Sequence, residues 1–325
     1  MKRNVLCSML AVLVIALSLP AQAQQAKVPK IGWLSPGSAA LGPARDLFGR
    51  EFRALGYVEG KNIAIEYRFA DNKLERLPAL ADELVRLKVD LIFVGTTNAA
   101  LAAKTATRTI PIVFLVGGDP VAAGLVDSLA RPGGNITGFT NIQDLLAGKR
   151  LELLKETIPK LSRVGVLWDP QNPASVQEWK EIQLPARTLG LQLHSMEVSS
   201  ADKFEVAFKE LTKAHSAALA VTQFALGISN QKRIADLAAK NQLPAIYPRG
   251  DYVVSGGLMS YGADQVEPFR RLASMVDKIL KGAMPTDIPI ERPMRFELIV
   301  NLSAAKQIGL TIPPNLLVRA QKVIR

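Results

Sequence analysis

Residues 90–117 read DLIFVGTTNAALAAKTATRTIPIVFLVG, and this stretch decides the fold. It opens with Asp90 to Val94, a continuous apolar run typical of a strand that a parallel sheet buries on both faces. Ala99 to Thr107 then predicts a helix, and Ile110 to Val116 predicts a second buried strand. Two such strands joined by a helix form a β-α-β unit, in which the strands lie parallel and the helix packs across them.

The same alternation extends in both directions along the chain. Further strands are predicted at 30–34, 62–69, 163–168, 191–198, 217–222 and 244–247. Helices are predicted at 43–55, 74–84, 121–129, 142–157, 176–189, 202–213 and 228–241. About ten strands are too many for one compact sheet at this length, so an α/β fold of two stacked lobes is favoured over its competitor, a (β/α)8 barrel. Glycine-rich kinks at 131–135 and 255–257 favour chain crossings between the lobes.

The first residues predict export. Lys2 and Arg3 precede an almost unbroken apolar run, which ends at Pro20 and is followed by small residues up to Ala23. This pattern is typical of a cleavable signal peptide, residues 1–23, and it predicts a periplasmic protein. The apolar run is about 15 residues long, shorter than the ~20 that a spanning helix needs, which disfavours a membrane anchor.

Cysteine content and charge narrow the function classes. Cys7 is the one cysteine of the 325 residues, and it lies near the start of the predicted signal peptide rather than after the apolar run. Neither a lipoprotein anchor, nor a disulfide, nor a cysteine nucleophile is therefore expected. The formal net charge is +11, but Lys and Arg are scattered among acidic residues. We attribute this charge to solubility and surface attraction, and we expect no nucleic acid partner.

Catalytic and metal signatures are sparse. The two histidines, His194 and His215, show no metal-binding spacing. There is no G-x-S-x-G elbow and no P-loop, and Ser35 to Ser38 stand where a Rossmann G-x-G-x-x-G would follow the first strand. A serine–histidine pair stays open, because its members need not be neighbours in sequence. We expect no enzyme, no metal and no cofactor.

Polar and aromatic side chains follow several of the predicted strands. In open α/β sheets, ligands bind beyond the carboxyl ends of the strands, where helix N-termini point free N–H groups outward. The residues placed there are Ser35, Thr96, Thr97, Asn98, Asp119, Asp169, Asn172, Phe224, Tyr247 and Asp251. Hydroxyls and N–H groups suit a carboxylate, an acid suits an ammonium and aromatics suit a planar side chain, so the set predicts an amino-acid-like zwitterion. The alternative is structural, with helix capping by the hydroxyls and acids and core packing by the aromatics.

Six segments of the mature chain resemble one known family. They read GTTNAALAAKTATRTIPIVF (95–114), DPVAAGLV (119–126), RPGGNITG (131–138), ILKG (279–282), FELIVN (296–301) and GLTIP (309–313). Together they resemble the TrpX-like family of ABC transporter substrate-binding proteins over nearly the whole mature chain. The resemblance implies the type I periplasmic binding protein fold, with two Rossmann-like lobes joined by three crossing segments. Lobe one would comprise residues 28–140 and 263–290, and lobe two residues 141–262 and 291–325.

The resemblance also implies a ligand class and a partner. Some family members are associated with aromatic amino acids, so a small polar organic ligand is expected, either an amino acid or an aromatic-acid-like molecule. By position in the fold, its carboxylate would meet Thr96, Thr97 and Asp119, and its ammonium would meet Asp251. A monomer would deliver this ligand to an ABC permease in the inner membrane. The alternative is a sensor that presents the bound solute to a membrane receptor.

Overall fold

The protein folds around two separate open sheets. The computed structural model describes residues 28–38, 43–264 and 266–325, so the predicted signal peptide lies outside the described residues. Within these ranges, five strands form the first sheet and seven form the second, and no helix combines the length and apolar character needed to cross a membrane. The pairing is mostly parallel and helices cover both faces, which confirms the predicted α/β fold of two lobes.

The first sheet is parallel throughout. Its strands are β1 (Lys30–Ser35), β2 (Ala64–Phe69), β3 (Leu91–Val94), β4 (Ile112–Val116) and β5 (Ile136–Thr140), in the order β2-β1-β3-β4-β5. Its helices are α1 (Pro43–Ala54), α2 (Leu77–Arg86) and α3 (Thr97–Ala106). Both strands predicted within residues 90–117 are present and buried along their whole length. The loops that follow β1, β3 and β4 consequently meet at one edge of the sheet.

The second sheet has one antiparallel pair. Its strands are β6 (Arg163–Trp168), β7 (Gln192–Glu197), β8 (Ala218–Val221), β9 (Ala245–Tyr247), β10 (Met259–Ala263), β11 (Phe296–Asn301) and β12 (Lys322–Ile324). Its helices are α4 (Gln143–Thr157), α5 (Pro173–Glu181), α6 (Gln183–Thr188), α7 (Phe204–Lys213), α8 (Ala225–Ser229), α9 (Gln231–Lys240) and α10 (Gly250–Val254). The order is β12-β11-β10-β9-β8-β6-β7, and only the β10–β11 pairing is antiparallel within the described chain.

The chain crosses between the two sheets three times. It leaves the first sheet after β5, returns to it after β10 and leaves it again before β11. The helix made on the return, α11 (Glu267–Leu280), packs on the first sheet. Its Phe269, Leu272 and Val276 lie in one buried cluster with Trp33 and Phe93. After β11, the helices α12 (Leu302–Gln307) and α13 (Pro314–Arg319) complete the second sheet's cover.

The crossing segments are hydrogen-bonded to one another. The N–H of Thr140 donates to the carbonyl of Glu291 over 3.0 Å, and the N–H of Asp264 donates to the carbonyl of Arg295 over 3.2 Å. Ile142, in the first segment, has φ +45°, a left-handed conformation that is rare for a β-branched residue. Three bonded segments of this kind make up the hinge that the resemblance implies.

Two sequence-based predictions about local structure are wrong. Residues 121–129 form consecutive turns rather than a helix, because Gly124 takes φ +70° and the chain cannot continue as a right-handed helix through it. The kinks at 131–135 and 255–257 are turns that precede β5 and β10, whereas the crossings follow those strands. Glycine therefore marks the reversal into each strand and not the passage between lobes.

Candidate ligand-binding cleft

The loops that follow β1, β3 and β4 bring polar side chains to the space between the sheets, where each side chain also accepts a local backbone N–H bond. Ser35 ends β1, and its Oγ accepts a bond from the backbone N–H two residues on, over 3.2 Å. Thr96 follows β3 and caps α3, because its Oγ1 accepts from the N–H of Ala99 over 3.4 Å. Asp119 follows β4, and its Oδ1 accepts from the N–H of Val121 over 2.8 Å. The capping expected of these residue types is real, and the remaining N–H groups at the start of α3 point out of the helix.

The facing edge of the second sheet is held by a compact hydrogen-bond network. Asp169 follows β6 and is 7% exposed; its Oδ1 accepts from the N–H of Gln171 over 2.8 Å, and its own N–H donates to Ser175 Oγ over 3.0 Å. The same Oγ lies 2.7 Å from Thr222 Oγ1. Asn172 caps α5 through a 3.1 Å bond that its Oδ1 accepts from the N–H of Ser175. These bonds fix the position of the Asp169 carboxylate.

The two acidic residues predicted for the site in the second lobe, Asp169 and Asp251, differ in their electrostatic partners. Burial raises the pKa of Asp169, and the N–H of Gln171 opposes that rise. Within the described ranges no Lys or Arg side chain forms an ion pair with Asp169, whereas Asp251 Oδ2 accepts 2.7 Å and 3.0 Å bonds from the guanidinium of Arg249. Of these two carboxylates, Asp169 is therefore the one that lacks a counter-charge.

Among the described residues, two hydrogen bonds join the cleft-facing edges of the two lobes directly. Asn98 Nδ2 donates to the carbonyl of Gln171 over 3.0 Å, and the N–H of Asp119 donates to Gln177 Oε1 over 2.9 Å. Gly118, beside Asp119, has no side chain to hold the lobes apart, since a Cβ placed on it would fall onto Gln177 Oε1. The strand-end loops of the first lobe and helix α5 of the second are consequently in contact.

A small cavity lies between the lobes. The residues that line it are Pro36, Asn72, Leu74, Thr96, Asn98, Asp169, Gln171, Asn172, Ser199, Ala225 and Leu226. Its volume is about 20 Å³, room for about one water molecule. The lining combines one carboxylate, several amides and hydroxyls and four apolar residues, and none of the described residues in it is Lys or Arg. Such a lining suits a ligand with a positively charged end and an apolar end.

Three amide oxygens near this cleft are buried without a hydrogen-bond partner among the described residues. They are Asn98 Oδ1, Asn141 Oδ1 and Gln223 Oε1. Asn141 follows β5 in the first crossing segment, and the Gln223 side chain lies beside Gly117 across the cleft. Buried acceptors without donors are unfavourable, so this part of the molecule is suited to a ligand that brings N–H donors.

Four of the ten predicted site residues line this cavity, and the others take different positions. Thr96, Asn98, Asp169 and Asn172 are in the lining, Ser35 ends β1, and Asp119 lies in the loop after β4. Thr97 is buried at the start of α3.

The remaining three residues have structural surroundings that account for them without a ligand. Phe224 and Tyr247 lie in the apolar core of the second lobe, where Tyr247 stacks on Tyr252 with ring centroids 4.8 Å apart. Asp251 is held in its ion pair with Arg249.

Several polar residues of the cleft carry no signal in the sequence. Gln171 and Gln177 contact the opposite lobe, and Asn72 and Ser199 line the cavity. None of them begins a helix after a buried strand, which is the pattern that identifies Thr96 or Asn172. Gln177 lies inside α5 and faces the first lobe only because the two sheets meet there.

Comparison with known proteins identifies the family. A family model described as "ABC transporter substrate binding protein" matches residues 40–324. A curated relative, the "Tyrosine-binding protein" of Clostridioides difficile, is 29% identical over 271 residues, which cover 83% of this chain and 78% of that protein.

Solved structures extend the comparison. A conserved domain protein from Vibrio cholerae has a TM-score of 0.84 at 27% identity, covering 91% of this chain and 100% of that one. A Streptococcus pneumoniae ABC domain in complex with L-Trp has a TM-score of 0.81 at 26% identity, covering 90% and 100%. The ligand-free, open form of an adhesive substrate-binding protein from Clostridium difficile has a TM-score of 0.64 at 28% identity, covering 91% and 99%. The chain thus belongs to the family of ABC transporter substrate-binding proteins.

Proposed function

We propose that this protein captures an amino acid in its zwitterionic form between its two lobes and delivers it to an ABC importer. The composition of the cleft carries the proposal. It combines the Asp169 carboxylate, which has no counter-charge, amide oxygens that lack a hydrogen-bond donor among the described residues, and a small apolar wall. Relatives named for tyrosine binding and solved with L-Trp support an aromatic amino acid as the ligand.

The ammonium group would bind at Asp169. Its carboxylate is buried and fixed by backbone bonds, and an ammonium brought to it would supply the missing counter-charge. Asn98 Oδ1 and Gln223 Oε1 would accept further N–H bonds from the ligand. This geometry favours Asp169 over Asp251, whose charge Arg249 already balances.

The carboxylate and the side chain of the ligand would lie toward the first lobe. Ser35, Thr96 and the outward N–H groups at the start of α3 offer donors for a carboxylate. Thr97 would contribute its backbone N–H group, whereas that of Asp119 is already bonded to Gln177. Leu74 and Leu226, which line the cavity from opposite lobes, would contact an apolar side chain. The first lobe would bind the ligand first, and closure would bring Asp169 onto it.

Ligand entry requires the lobes to separate. The cavity of about 20 Å³ is too small for an amino acid, and the direct bonds of Asn98 and Asp119 to the second lobe close the entrance. The overall arrangement resembles the L-Trp complex more than the open, ligand-free relative, by TM-scores of 0.81 and 0.64. Movement about the three-segment hinge would then expose both half-sites.

The cellular role follows from the family. Cleavage after Ala23 would release a monomer into the periplasm, where the closed, loaded form would dock on a permease in the inner membrane. Nothing in the described cleft requires a cofactor, and we expect binding without turnover. Uptake of the identified amino acid by cells that lack this protein should fall and should return when it is restored; unchanged uptake would favour a sensor.

A ligand screen tests the binding proposal. Native mass spectrometry of the purified protein should show a co-purified amino acid, and thermal shifts should select L-Trp or L-Tyr from a panel. A ligand at 100 times its Kd stabilises the folded state by about 2.7 kcal/mol, which a thermal shift resolves.

Matched analogues supply the control. Tryptamine lacks the carboxylate of L-Trp and indole-3-propionate lacks its ammonium, so both should shift the unfolding temperature far less than L-Trp. Equal stabilisation by indole-3-propionate would remove the ammonium from the proposal, and stabilisation only by non-amino acids would overturn it.

A further inference from the structure

The second lobe contains a buried ion pair away from the cavity. Arg150 on α4 donates from Nη2 to Glu178 Oε1 on α5, and each side chain is 2% exposed. Neither residue lines the cavity between the lobes. An ion pair in such a place contributes little net stability compared with apolar residues of the same size, because both charges lose their hydration. Its presence therefore suggests a role beyond stability.

The pair connects the crossing segments of the hinge with the cleft side of the second lobe. Arg150 Nη1 donates to the carbonyl of Tyr261 over 3.2 Å, near the end of β10 and close to the second crossing segment. Glu178 Oε2 accepts a 3.0 Å bond from the backbone N–H of Gln223, whose side chain reaches the cleft. Arg150 itself lies on the helix that begins directly after the first crossing segment.

Helix α5 is the other end of this connection. It begins at the cap residue Asn172 in the cavity lining, and its Gln177 bonds to the first lobe one residue before Glu178. A planar guanidinium that donates to two partners, here Glu178 and the Tyr261 carbonyl, fixes direction as well as distance. A shift of either crossing segment is thus transmitted to α5 and to the Gln223 loop through charged hydrogen bonds.

We infer that the Arg150–Glu178 pair is a positioning element. It holds α5 and the Gln223 loop, on the cleft face of the second lobe, at a fixed position relative to the first and second crossing segments. It touches no ligand. It keeps α5 and the Gln223 loop moving with the hinge as one body, so that closure brings Gln177, Gln223 and Asp169 to the first lobe together. The inference rests on the proposed function only for its ligand-binding readout.

The test is the double variant Arg150→Met/Glu178→Met, which removes both charges and leaves neither one buried alone. Because the N–H of Gln223 loses its acceptor, its hydrogen exchange, followed by NMR, should become about tenfold faster or more. The Kd for L-Trp should rise by about tenfold, while the unfolding temperature stays close to that of the wild type. The exposed pair Arg233–Glu205 provides the matched control, and its Met/Met replacement should leave both measurements unchanged.

The outcomes separate this inference from the proposed function. Wild-type exchange at Gln223 in the double variant overturns the inference, and so does faster exchange with unchanged L-Trp affinity. If the wild-type protein binds no L-Trp, the proposed ligand is wrong, and the exchange rate together with the lobe separation seen by small-angle scattering decides the inference.

A second variant tests the inference if the double variant does not fold. Arg150→Lys keeps the charge but lacks the planar fork that reaches both Glu178 and the Tyr261 carbonyl, so faster exchange at Gln223 is again expected and wild-type exchange again overturns the inference.

Discussion

The backbone N–H of Asp119 donates to Gln177 Oε1 over 2.9 Å, so a strand-end loop of the first sheet is bonded to a helix of the second. This bond exists only while the lobes are together. The second such contact, between Asn98 and Gln171, lies at the cavity itself. Direct bonds between the lobes lower the free energy of the closed form before any ligand contributes, and they set how much binding energy a ligand must supply for closure.

Gly118→Ala should open the lobes. The new Cβ would displace the Gln177 side chain and break its bond to Asp119. Loss of one hydrogen bond of about 1 kcal/mol should weaken L-Trp binding about fivefold, and small-angle scattering should show a larger radius of gyration. Gly49→Ala, on the outer helix α1, is the control and should change neither; an unchanged Gly118→Ala protein would show that the bond does not hold the lobes.

Asp169→Asn should weaken binding more than Asp251→Asn does. The amide keeps the shape and still accepts the N–H of Gln171, but it loses the charge that would pair with a ligand ammonium. We expect about 10- to 100-fold weaker binding by calorimetry, the effect of losing one charged hydrogen bond. Asp251→Asn alters a carboxylate that Arg249 already pairs, so its effect should stay within about threefold. A larger effect at Asp251 would restore the position expected from the family fold.

The pH dependence of stability should identify Asp169 as well. Burial raises its pKa in the folded state above the ordinary 3.8, so the folded state binds this proton more tightly than the unfolded state. The contribution of Asp169 to stability is therefore full below 3.8 and is lost as pH rises through the raised pKa. Asp169→Asn should raise the unfolding temperature at pH 7 relative to wild type, and this advantage should shrink toward pH 4. A constant difference across that range would contradict a shifted pKa.

Two glycine substitutions should change stability in opposite directions. Gly165 lies in β6, and an added Cβ would collide with Leu211 and come within 2.9 Å of Met196 Sδ. Gly165→Ala should therefore lower the free energy of unfolding by about 1–3 kcal/mol, the usual effect of overpacking. Gly49→Ala lies inside a helix, where the new Cβ would make an ordinary 3.8 Å contact with Arg53 Nη1, and should raise the free energy of unfolding by about 0.5–1 kcal/mol. Urea unfolding measures both, and destabilisation by Gly49→Ala would contradict the helix assignment.

Two Tyr→Phe substitutions should also change the stability of the protein in opposite directions. The hydroxyl of Tyr252 is buried without a hydrogen-bond partner among the described residues, and burial raises its pKa, so it stays protonated. Tyr252→Phe removes an unsatisfied polar group and should stabilise the protein by up to about 1 kcal/mol. Tyr57→Phe removes a 3.0 Å bond to Asp277 and should destabilise it by about 1 kcal/mol. Equal losses in thermal unfolding would show that Tyr252 has a partner.

The fold could be predicted from the sequence because burial on both faces leaves an unambiguous pattern. The strands predicted at 90–94 and 110–116 are present as buried strands at Leu91–Val94 and Ile112–Val116. The helix predicted at 121–129 is absent for a physical reason. Its apolar residues have helical spacing, but Gly124 adopts a left-handed conformation that a right-handed helix cannot contain.

The site could be predicted in part. Thr96 and Asn98 follow a strand of the first sheet, and Asp169 and Asn172 follow a strand of the second, so parallel topology places each pair at the ligand-binding edge of its own sheet. Gln177 and the ion pair of Arg150 depend on how the two sheets face each other and on how side chains pack under the cleft. No periodicity in a single sequence reports those distances.

Helix α11 carries a consequence for the biosynthesis of the protein. A chain made from its N-terminus completes β1 to β5 early, yet α11, which covers one face of their sheet together with α1, emerges only after β6 to β10 have been synthesised. Until then Trp33, Phe93 and Phe139 have no cover from Phe269 and Leu272. Exposed apolar faces of this kind attract chaperones or aggregate. Completion of the first lobe is consequently among the last folding events, and a chain truncated before residue 267 would keep an exposed apolar face on that lobe.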